Sequence, residues 1–247
     1  MGKIENYLSE KLDGFKKIED FQKHFDEMAK YILCNVAIVI GDSNSKQIRY
    51  YLEEIEFYYN NGLVTEDEIT FIVKDKKKTE KKNFFSCTYK RIKDAKQLFW
   101  HYSGVDICFQ SNETCYGGIL IRSMSKCDSD ENNAELIAGP LRCANEIANQ
   151  SINLNCIPRI EKNKSAKRHI SENDIASTIR QGIETSDRYK TELERIRKVG
   201  AENISDFPFF CYYFKRGREN WKIRVNDKDV NYSSIPENRN GIERSIK

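Results

Sequence analysis

The sequence predicts an α+β protein with an antiparallel-rich sheet. Three observations support this class: apolar residues recur at helical spacing over residues 3–31, two β-branched and aromatic runs between 35 and 60 are joined by a turn, and later strands and helices do not alternate as β-α-β units. The chain has 247 residues, enough to bury a large core. We predict one domain over residues 1–225, with a polar, flexible tail over 226–247.

The elements follow from local patterns, taken in order. One or two helices are predicted within about residues 1–31, and a strand over 35–40 ends in the turn sequence Gly41-Asp42-Ser43-Asn44 and forms a hairpin with Ile48–Asn60. A lysine-rich excursion over 60–96 separates this hairpin from the rest. Further elements are predicted as an aromatic hairpin over 97–109, a buried strand over 119–124, a helix over 141–148 after Pro140, a partly helical region over 161–201, and strands over 207–214 and 221–225.

Composition excludes several classes of protein. No apolar run approaches the roughly 20 residues of a membrane span, and the N-terminal residues lack the apolar core of a signal peptide, so we expect a cytoplasmic protein that does not contact membranes. Eight cysteines occur without a C-x-x-C pair, and the three histidines lie far apart. We therefore expect reduced thiols, no metal and no small-molecule cofactor.

The strand over Ile48–Asn60 carries an unusual pattern. Strict alternation places its even-numbered residues on one face, where Glu54 and Glu56 interrupt an apolar stripe that ends with Tyr58. Carboxylates rarely occupy apolar surroundings without a partner or a function. The alternatives for Glu56 are a catalytic group and a strand-edge acid paired with a lysine.

Several segments occur in an order that resembles the alkyladenine (3-methyladenine, methylpurine) DNA glycosylase family. They are Glu56-Phe57-Tyr58, the aromatic hairpin ending at Gly104, Ile119-Leu120-Ile121-Arg122, and Gly139-Pro140 at the start of a helix. The resemblance spans roughly residues 28–148. It implies a single domain with a curved, mostly antiparallel sheet flanked by helices, and an enzyme that removes bases from duplex DNA.

The resemblance also implies roles for individual residues. Glu56 would direct water to the N-glycosidic bond and stabilise positive charge on the sugar, Arg122 would lie close by, and Tyr58 and Trp100 would form flat walls around a base rotated out of the duplex. Arg122 has an alternative as an ion-pair partner of Glu54 or Asp106. The other candidates are Asp106 as an orienting acid, His101 and Tyr102 as base contacts, and Ser103, Lys76, Lys77, Lys78, Lys81 and Lys82 as DNA contacts.

Three departures from the family bear on the substrate. No histidine follows the Glu-x-Tyr segment before His101, Ser103 stands where family members have a wedge tyrosine, and a lysine-rich excursion over 75–96 replaces the usual connection near the pocket entrance. The substrate is therefore either a damaged, alkylated purine or a non-standard base, for example a hypermodified base of phage DNA. The first substrate implies a role in DNA repair, and the second implies a role in antiviral defence.

The leading hypothesis is a monomeric, monofunctional DNA glycosylase that uses water as its nucleophile. A second hypothesis is a non-catalytic nucleic-acid binding module with the same fold, which would bind DNA without releasing a base. A third is a hydrolase of free nucleosides that uses the same Glu56. The released product and the preference for duplex distinguish the three.

Overall fold

The structure is a computed structural model of the chain. It describes residues 3–10, 15, 17–42, 46–60, 73–74, 81–82, 93–113, 116–126, 136–162, 174–179, 187–204, 207, 209–215, 222–225, 228–231 and 242–246. The described helices are α1 (Lys3–Ser9), α2 (Ile18–Asn35), α3 (Pro140–Asn153) and α4 (Asp187–Val199). None of them is both long enough and apolar enough to span a membrane.

The described strands build an open, antiparallel-rich sheet, so the α+β class predicted from the sequence is confirmed. The strands are β1 (Val36–Gly41), β2 (Gln47–Asn60), β3 (Val73–Lys74), β4 (Lys81–Lys82), β5 (Leu98–His101), β6 (Gly104–Cys108), β7 (Tyr116–Lys126), β8 (Leu136–Ala138), β9 (Arg159–Lys162), β10 (Ile175–Thr178), β11 (Cys211–Phe214), β12 (Lys222–Val225), β13 (Lys228–Asn231) and β14 (Arg244–Ser245).

Strand β2 is the central strand of the main sheet. Along one side it pairs with β1 and then with β11, and along the other side it pairs with β7. The sheet continues through β7 to β6 and β5, through β1 to β9, and through β11 to β10 and β14. Strands β3 with β4, and β12 with β13, form separate two-stranded hairpins. At 14 residues, β2 is long enough to hold both halves of the sheet together.

Two successive β-bulges interrupt the pairing of β2 with β7. The first bulge is on β2: Leu52 pairs with Met124 and Glu54 pairs with Ser123, so Glu53 is the extra residue. The second bulge is on β7: Ile55 pairs with Ile121, so Arg122 is the extra residue. An extra residue moves all the following side chains to the opposite face. Consequently the even-numbered residues of β2 face the core before Glu53, and the odd-numbered residues of β2 face the core after it.

This exchange corrects the prediction that Ile48 through Tyr58 place alternate residues on a single face. The hydrophobic core contains Ile48, Tyr50 and Leu52 from the first half of β2 and Ile55, Phe57 and Tyr59 from the second half. Glu54, Glu56 and Tyr58 therefore point away from this core. Strict alternation failed because it assumes an unbroken ladder, and a bulge in a run of residues that all favour strands leaves no clear mark in the sequence.

Helix α2 covers the core face of the second half of β2. Its buried residues recur at helical spacing, and Phe25 stacks on Phe57 with the ring centroids 4.5 Å apart. The helix ends at Asn35, where the apolar, β-branched run of β1 begins. Phe21 contacts Tyr59 in the same layer. Aromatic packing thus fixes β2 from one side.

Helix α3 begins where the sequence predicted it, with Pro140 in its first turn. The Gly139 N–H donates to the carbonyl of Arg122, which ties the start of the helix to β7. Its buried side chains Cys143, Ala144 and Ile147 join the main core. The helix is therefore anchored to the part of the sheet that carries Arg122.

The last described residues, 242–246, form part of the main sheet. Strand β14 pairs with β10, Ile242 and Ile246 are buried, and Arg244 forms an ion pair of 2.6 Å with Asp26 of α2. Asp26 also accepts a hydrogen bond from the Tyr212 hydroxyl. The expectation of a flexible tail over 226–247 therefore does not hold for its final residues. Two isoleucines separated by three polar residues gave too weak a signal to predict this short strand.

Candidate active site

Four charged residues cluster on one face of the sheet, and we call the region that they occupy the carboxylate face. It comprises Glu54, Glu56, Asp106 and Arg122, contributed by β2, β6 and β7. Glu56 and Asp106 both pair with Leu120, so they lie in one row across three strands. The three carboxylates are almost completely buried, at 2%, 0% and 0% exposure for Glu54, Glu56 and Asp106. Such groups require partners, because burying an isolated charge is very costly.

Arg122 bridges the two glutamates. Its Nε donates to Glu54 Oε1 at 2.9 Å, and its Nη1 donates to Glu56 Oε2 at 2.7 Å. Arg122 is the extra residue of the bulge on β7, which turns its side chain toward the carboxylate face. One guanidinium thus serves two carboxylates, so the formal charges of the three side chains sum to −1.

The environment keeps Arg122 charged. Burial by itself would disfavour the guanidinium cation, but its attraction to Glu56, Cys211 and Tyr58 and its hydrogen bond to Glu56 together outweigh burial and raise the pKa of Arg122 above its ordinary value. Of the two partners considered from the sequence, the structure shows Glu54 in an ion pair with Arg122. It adds Glu56 as a second partner.

Asp106 interacts instead with His101. Nε2 of His101 lies 3.2 Å from Oδ1 of Asp106, and the backbone N–H of Ser103 donates to Nδ1 of His101 at 3.2 Å. Because Nδ1 accepts a hydrogen bond, the neutral ring carries its proton on Nε2 and donates it to Asp106. The Phe99 ring stacks on His101 with the centroids 6.0 Å apart. The contact between His101 and Asp106 was not predicted from the sequence. The two-residue turn between β5 and β6 brings these two residues together, and it is the sequence signal that could have indicated the contact.

Tyr58 lies on the carboxylate face beyond Glu56, two residues further along β2. It is partly exposed, and its pairing partner on β7 is Gly118, which has no side chain. The ring of Tyr58 is therefore not covered by a side chain directly across the strand pair. Arg122, with 13% of its side chain exposed, is the other member of this group that solvent reaches.

Trp100 does not join this group. It pairs with Val105, a core residue, and it alternates along β5 with Phe99 and His101, which face the carboxylates. Trp100 therefore lies on the opposite face of the sheet from Glu56, and the structure does not support its predicted role as a second wall of the same pocket. Its side chain is 44% exposed. The predicted role of Trp100 came from its distance to Gly104 along the chain. That distance does not specify on which face of the sheet the side chain lies.

Tyr102 and Ser103 form the turn between β5 and β6, and both are exposed, Tyr102 at 89%. Their position at a hairpin tip is compatible with contacts to a large partner. Of the predicted DNA-contacting lysines, Lys81 and Lys82 lie on β4. Lys76, Lys77 and Lys78 lie outside the described residues.

Two buried cysteines lie close to the ion-paired group. The Sγ of Cys211 is 3.5 Å from Glu54 Oε1, and Cys211 pairs with Glu56 across β11 and β2. Burial raises the pKa of the Cys143 thiol to about 12, so Cys143 stays protonated and is unsuited to act as a nucleophile. Over the described ranges, no group of three or more His, Cys, Asp or Glu side chains is arranged to hold a metal ion.

The geometry thus brings Glu54, Glu56, Arg122 and Tyr58 together, with the His101–Asp106 pair on the same face two strands away. No protein-family model and no curated protein sequence matches this chain.

Proposed function

We propose that the protein is a monofunctional DNA glycosylase in which Glu56 is the catalytic carboxylate. The observation that carries this proposal is the Glu54–Arg122–Glu56 group with its net negative charge beside the partly exposed ring of Tyr58. Hydrolysis of an N-glycosidic bond builds positive charge on the sugar, and a fixed, desolvated negative charge stabilises that transition state. On the same basis we propose that the chain belongs to the alkyladenine DNA glycosylase family and has the fold of that family.

Each residue of the group has a distinct part in this mechanism. Arg122 holds one oxygen of Glu56 at 2.7 Å and so fixes the orientation of the carboxylate. The charge of Glu56 first stabilises the sugar cation as the bond to the base breaks and the base leaves with the bonding electrons. Glu56 then orients the attacking water and accepts its proton as the new C–O bond forms. Tyr58 offers a flat surface against which an extruded base can stack. Glu54 shares Arg122 with Glu56, so the formal charges of the group sum to −1.

The substrate we propose is a modified base in DNA, with a hypermodified phage base as the candidate that fits the missing purine-reading histidine. Such an activity would serve antiviral defence. The partner is duplex DNA, which would approach the carboxylate face from the side of Tyr58 and Arg122, where solvent reaches the group.

The test is release of a base followed by alkaline cleavage at the abasic site. The purified protein is incubated with duplexes that each carry one modified base, and with genomes of phages that modify their DNA. We expect strand cleavage with at least one substrate and a loss of about 100-fold or more in rate for Glu56→Gln, because a positioned acid–base group contributes that much. Failure to release any tested base, or full activity of Glu56→Gln, would refute the proposal.

Glu53→Gln is the matched control. Glu53 is also a buried glutamate of β2, and it accepts a hydrogen bond from the Ser125 hydroxyl. Circular dichroism checks that both variants remain folded. Equal losses of activity in the two folded variants would show that the loss is not specific to Glu56 and would contradict its catalytic role.

The complete burial of Glu56 favours one alternative, a non-catalytic nucleic-acid binding module. In that case the Arg122 bridge is purely structural. The module would bind DNA with an affinity that falls linearly on a log–log plot against salt, and it would leave no abasic sites. The same incubation, combined with a binding measurement at several salt concentrations, separates the two functions.

A further inference from the structure

A cavity of about 650 Å³ lies apart from the carboxylate face. It is lined by residues of β5, of β9 and of the segments preceding both strands, and it includes neither Glu56 nor Arg122. Strands β5 and β9 form opposite edges of the sheet, so the sheet bends enough to bring residues from both edges around one space. Its volume falls within the range of about 300–1,000 Å³ that small-ligand sites occupy.

The walls of the cavity combine an exposed aromatic ring with apolar side chains. Trp100 and Leu98 come from β5, and Ile157, Pro158 and Ile160 come from the chain around the start of β9. Ile157 is 82% exposed and Trp100 is 44% exposed. Large exposed apolar residues that share one concavity indicate a binding surface more often than isolated ones do. A tryptophan is also the side chain best suited to stack on a flat ring.

Two cations stand beside this apolar surface. The Lys96 ammonium has three N–H donors, one of which binds Glu5 at 2.6 Å. The Arg159 guanidinium has five N–H donors, and its contacts are with Glu161, the Cys156 sulfur and the Gly41 carbonyl. Both side chains thus retain donors beyond these contacts, at 29% and 42% exposure.

The balance of charge around the cavity is positive. Glu161 is the acidic residue of the lining, and it contacts two arginines, Arg159 and Arg49. With the Lys96–Glu5 pair included, there are three cations, which are Arg49, Lys96 and Arg159. The anions are two, Glu5 and Glu161. An anionic group entering beside Lys96 and Arg159 therefore meets a net attraction.

We propose that this cavity is a nucleotide-binding site in which Trp100 stacks on the base while Lys96 and Arg159 bind the phosphate. A nucleotide carries both a flat ring and an anionic phosphate. These two parts match the aromatic wall and the two cations of the cavity. The nucleotide is either free in solution or part of a single strand that passes over this edge of the sheet. The inference does not depend on glycosylase activity, because it uses none of the residues of the carboxylate face.

The chain contains a direct reporter for the test. Its two tryptophans are Trp100 and Trp221, so Trp221→Phe leaves Trp100 as the sole tryptophan. Quenching of its fluorescence is titrated with adenosine monophosphate, adenosine, inorganic phosphate and a short oligodeoxyadenylate. We expect saturable quenching by the nucleotide, with weaker binding of the nucleoside and no quenching by phosphate, which lacks a ring.

Two substitutions identify the cations. In the Trp221→Phe background, Lys96→Gln is expected to weaken nucleotide binding about tenfold, the effect of losing one charge-assisted hydrogen bond. Lys93→Gln is the matched control, because Lys93 is an exposed lysine of the same segment that does not line the cavity. The control is expected to bind like its parent protein.

Each outcome decides between sources or rejects the site. Saturable quenching by adenosine monophosphate indicates a free nucleotide, whereas quenching by the oligonucleotide alone, with a strong dependence on salt, indicates single-stranded DNA. No saturable quenching by either ligand would overturn the proposal. Equal effects of Lys96→Gln and Lys93→Gln would also overturn it, because the cavity would then contribute no specific contact.

Discussion

Replacing Arg122 by methionine tests whether one guanidinium compensates two buried carboxylates. Breaking a buried ion pair by removing one partner costs about 3–5 kcal/mol, since it leaves a charge without compensation. Glu54 and Glu56 both lose their arginine, but 13% of the Arg122 side chain is exposed, and solvent screens part of the effect. We therefore expect Arg122→Met to lower the free energy of unfolding by about 3–4 kcal/mol at pH 7.

The assay is urea denaturation followed by circular dichroism. Arg159→Met is the control, because its ion pair with Glu161 is 42% exposed on the arginine side and should contribute only about 0–1 kcal/mol. The loss for Arg122→Met should shrink at lower pH, where the two carboxyls that have lost the arginine take up protons. A loss no greater than that of Arg159→Met would refute the reasoning.

A combined variant separates lost charge compensation from lost packing. Adding Glu54→Leu and Glu56→Leu to Arg122→Met removes all three charges at once. Replacing a buried ionic group by apolar residues of similar volume is often close to neutral, so most of the lost stability should return. If the triple variant is as unstable as Arg122→Met alone, the loss came from packing around the arginine.

Other parts of the fold give three further predictions. Burial lowers the pKa of His24, so this ring binds a proton less readily in the folded state than in the unfolded state. Above the unfolded pKa, His24 therefore does not reduce the free energy of unfolding. As the pH falls below that value, the free energy of unfolding decreases. Between pH 7 and 5, the wild type should lose more stability than His24→Phe, measured by thermal unfolding. Gly117→Ala should cost about 1–3 kcal/mol, because a Cβ would lie 2.3 Å from the Tyr58 carbonyl oxygen; unchanged stability in urea would contradict this close contact. Arg244→Gln should accelerate hydrogen exchange in β10 and β14, because it removes the 2.6 Å ion pair that holds the last strand to α2; unaltered exchange would show that the buried isoleucines suffice.

The carboxylate face shows where prediction from the chain succeeded and where it stopped. The acids and the tyrosine of β2 could be singled out because carboxylates seldom lie within an apolar, aromatic strand unless they have a partner or a function. The link from Arg122 to Glu54 could be anticipated, because a buried guanidinium needs a carboxylate. The second contact, to Glu56, required the register of β2 against β7.

Trp100 and the final strand illustrate the opposite case. The face on which Trp100 lies depends on which residues of β5 and β6 pair, and a spacing counted from Gly104 contains no such information. The residues 242–246 are too few to show a periodic pattern, and their burial comes from β10 and α2, which are far away in the sequence. Contacts between distant segments decided both positions.

The sequence by itself determined the α+β class, the long central strand and the residues that carry unusual charge, since these follow from local propensity and composition. Only the tertiary structure decided which of those residues meet. Two bulges turn Glu54, Glu56 and Arg122 toward one another and leave Phe57 and Tyr59 of β2 in the core. The physical reason is that a strand has a side-chain period of two, so one extra residue in a ladder exchanges its faces, and that residue is placed by pairing with another strand and not by its own neighbours.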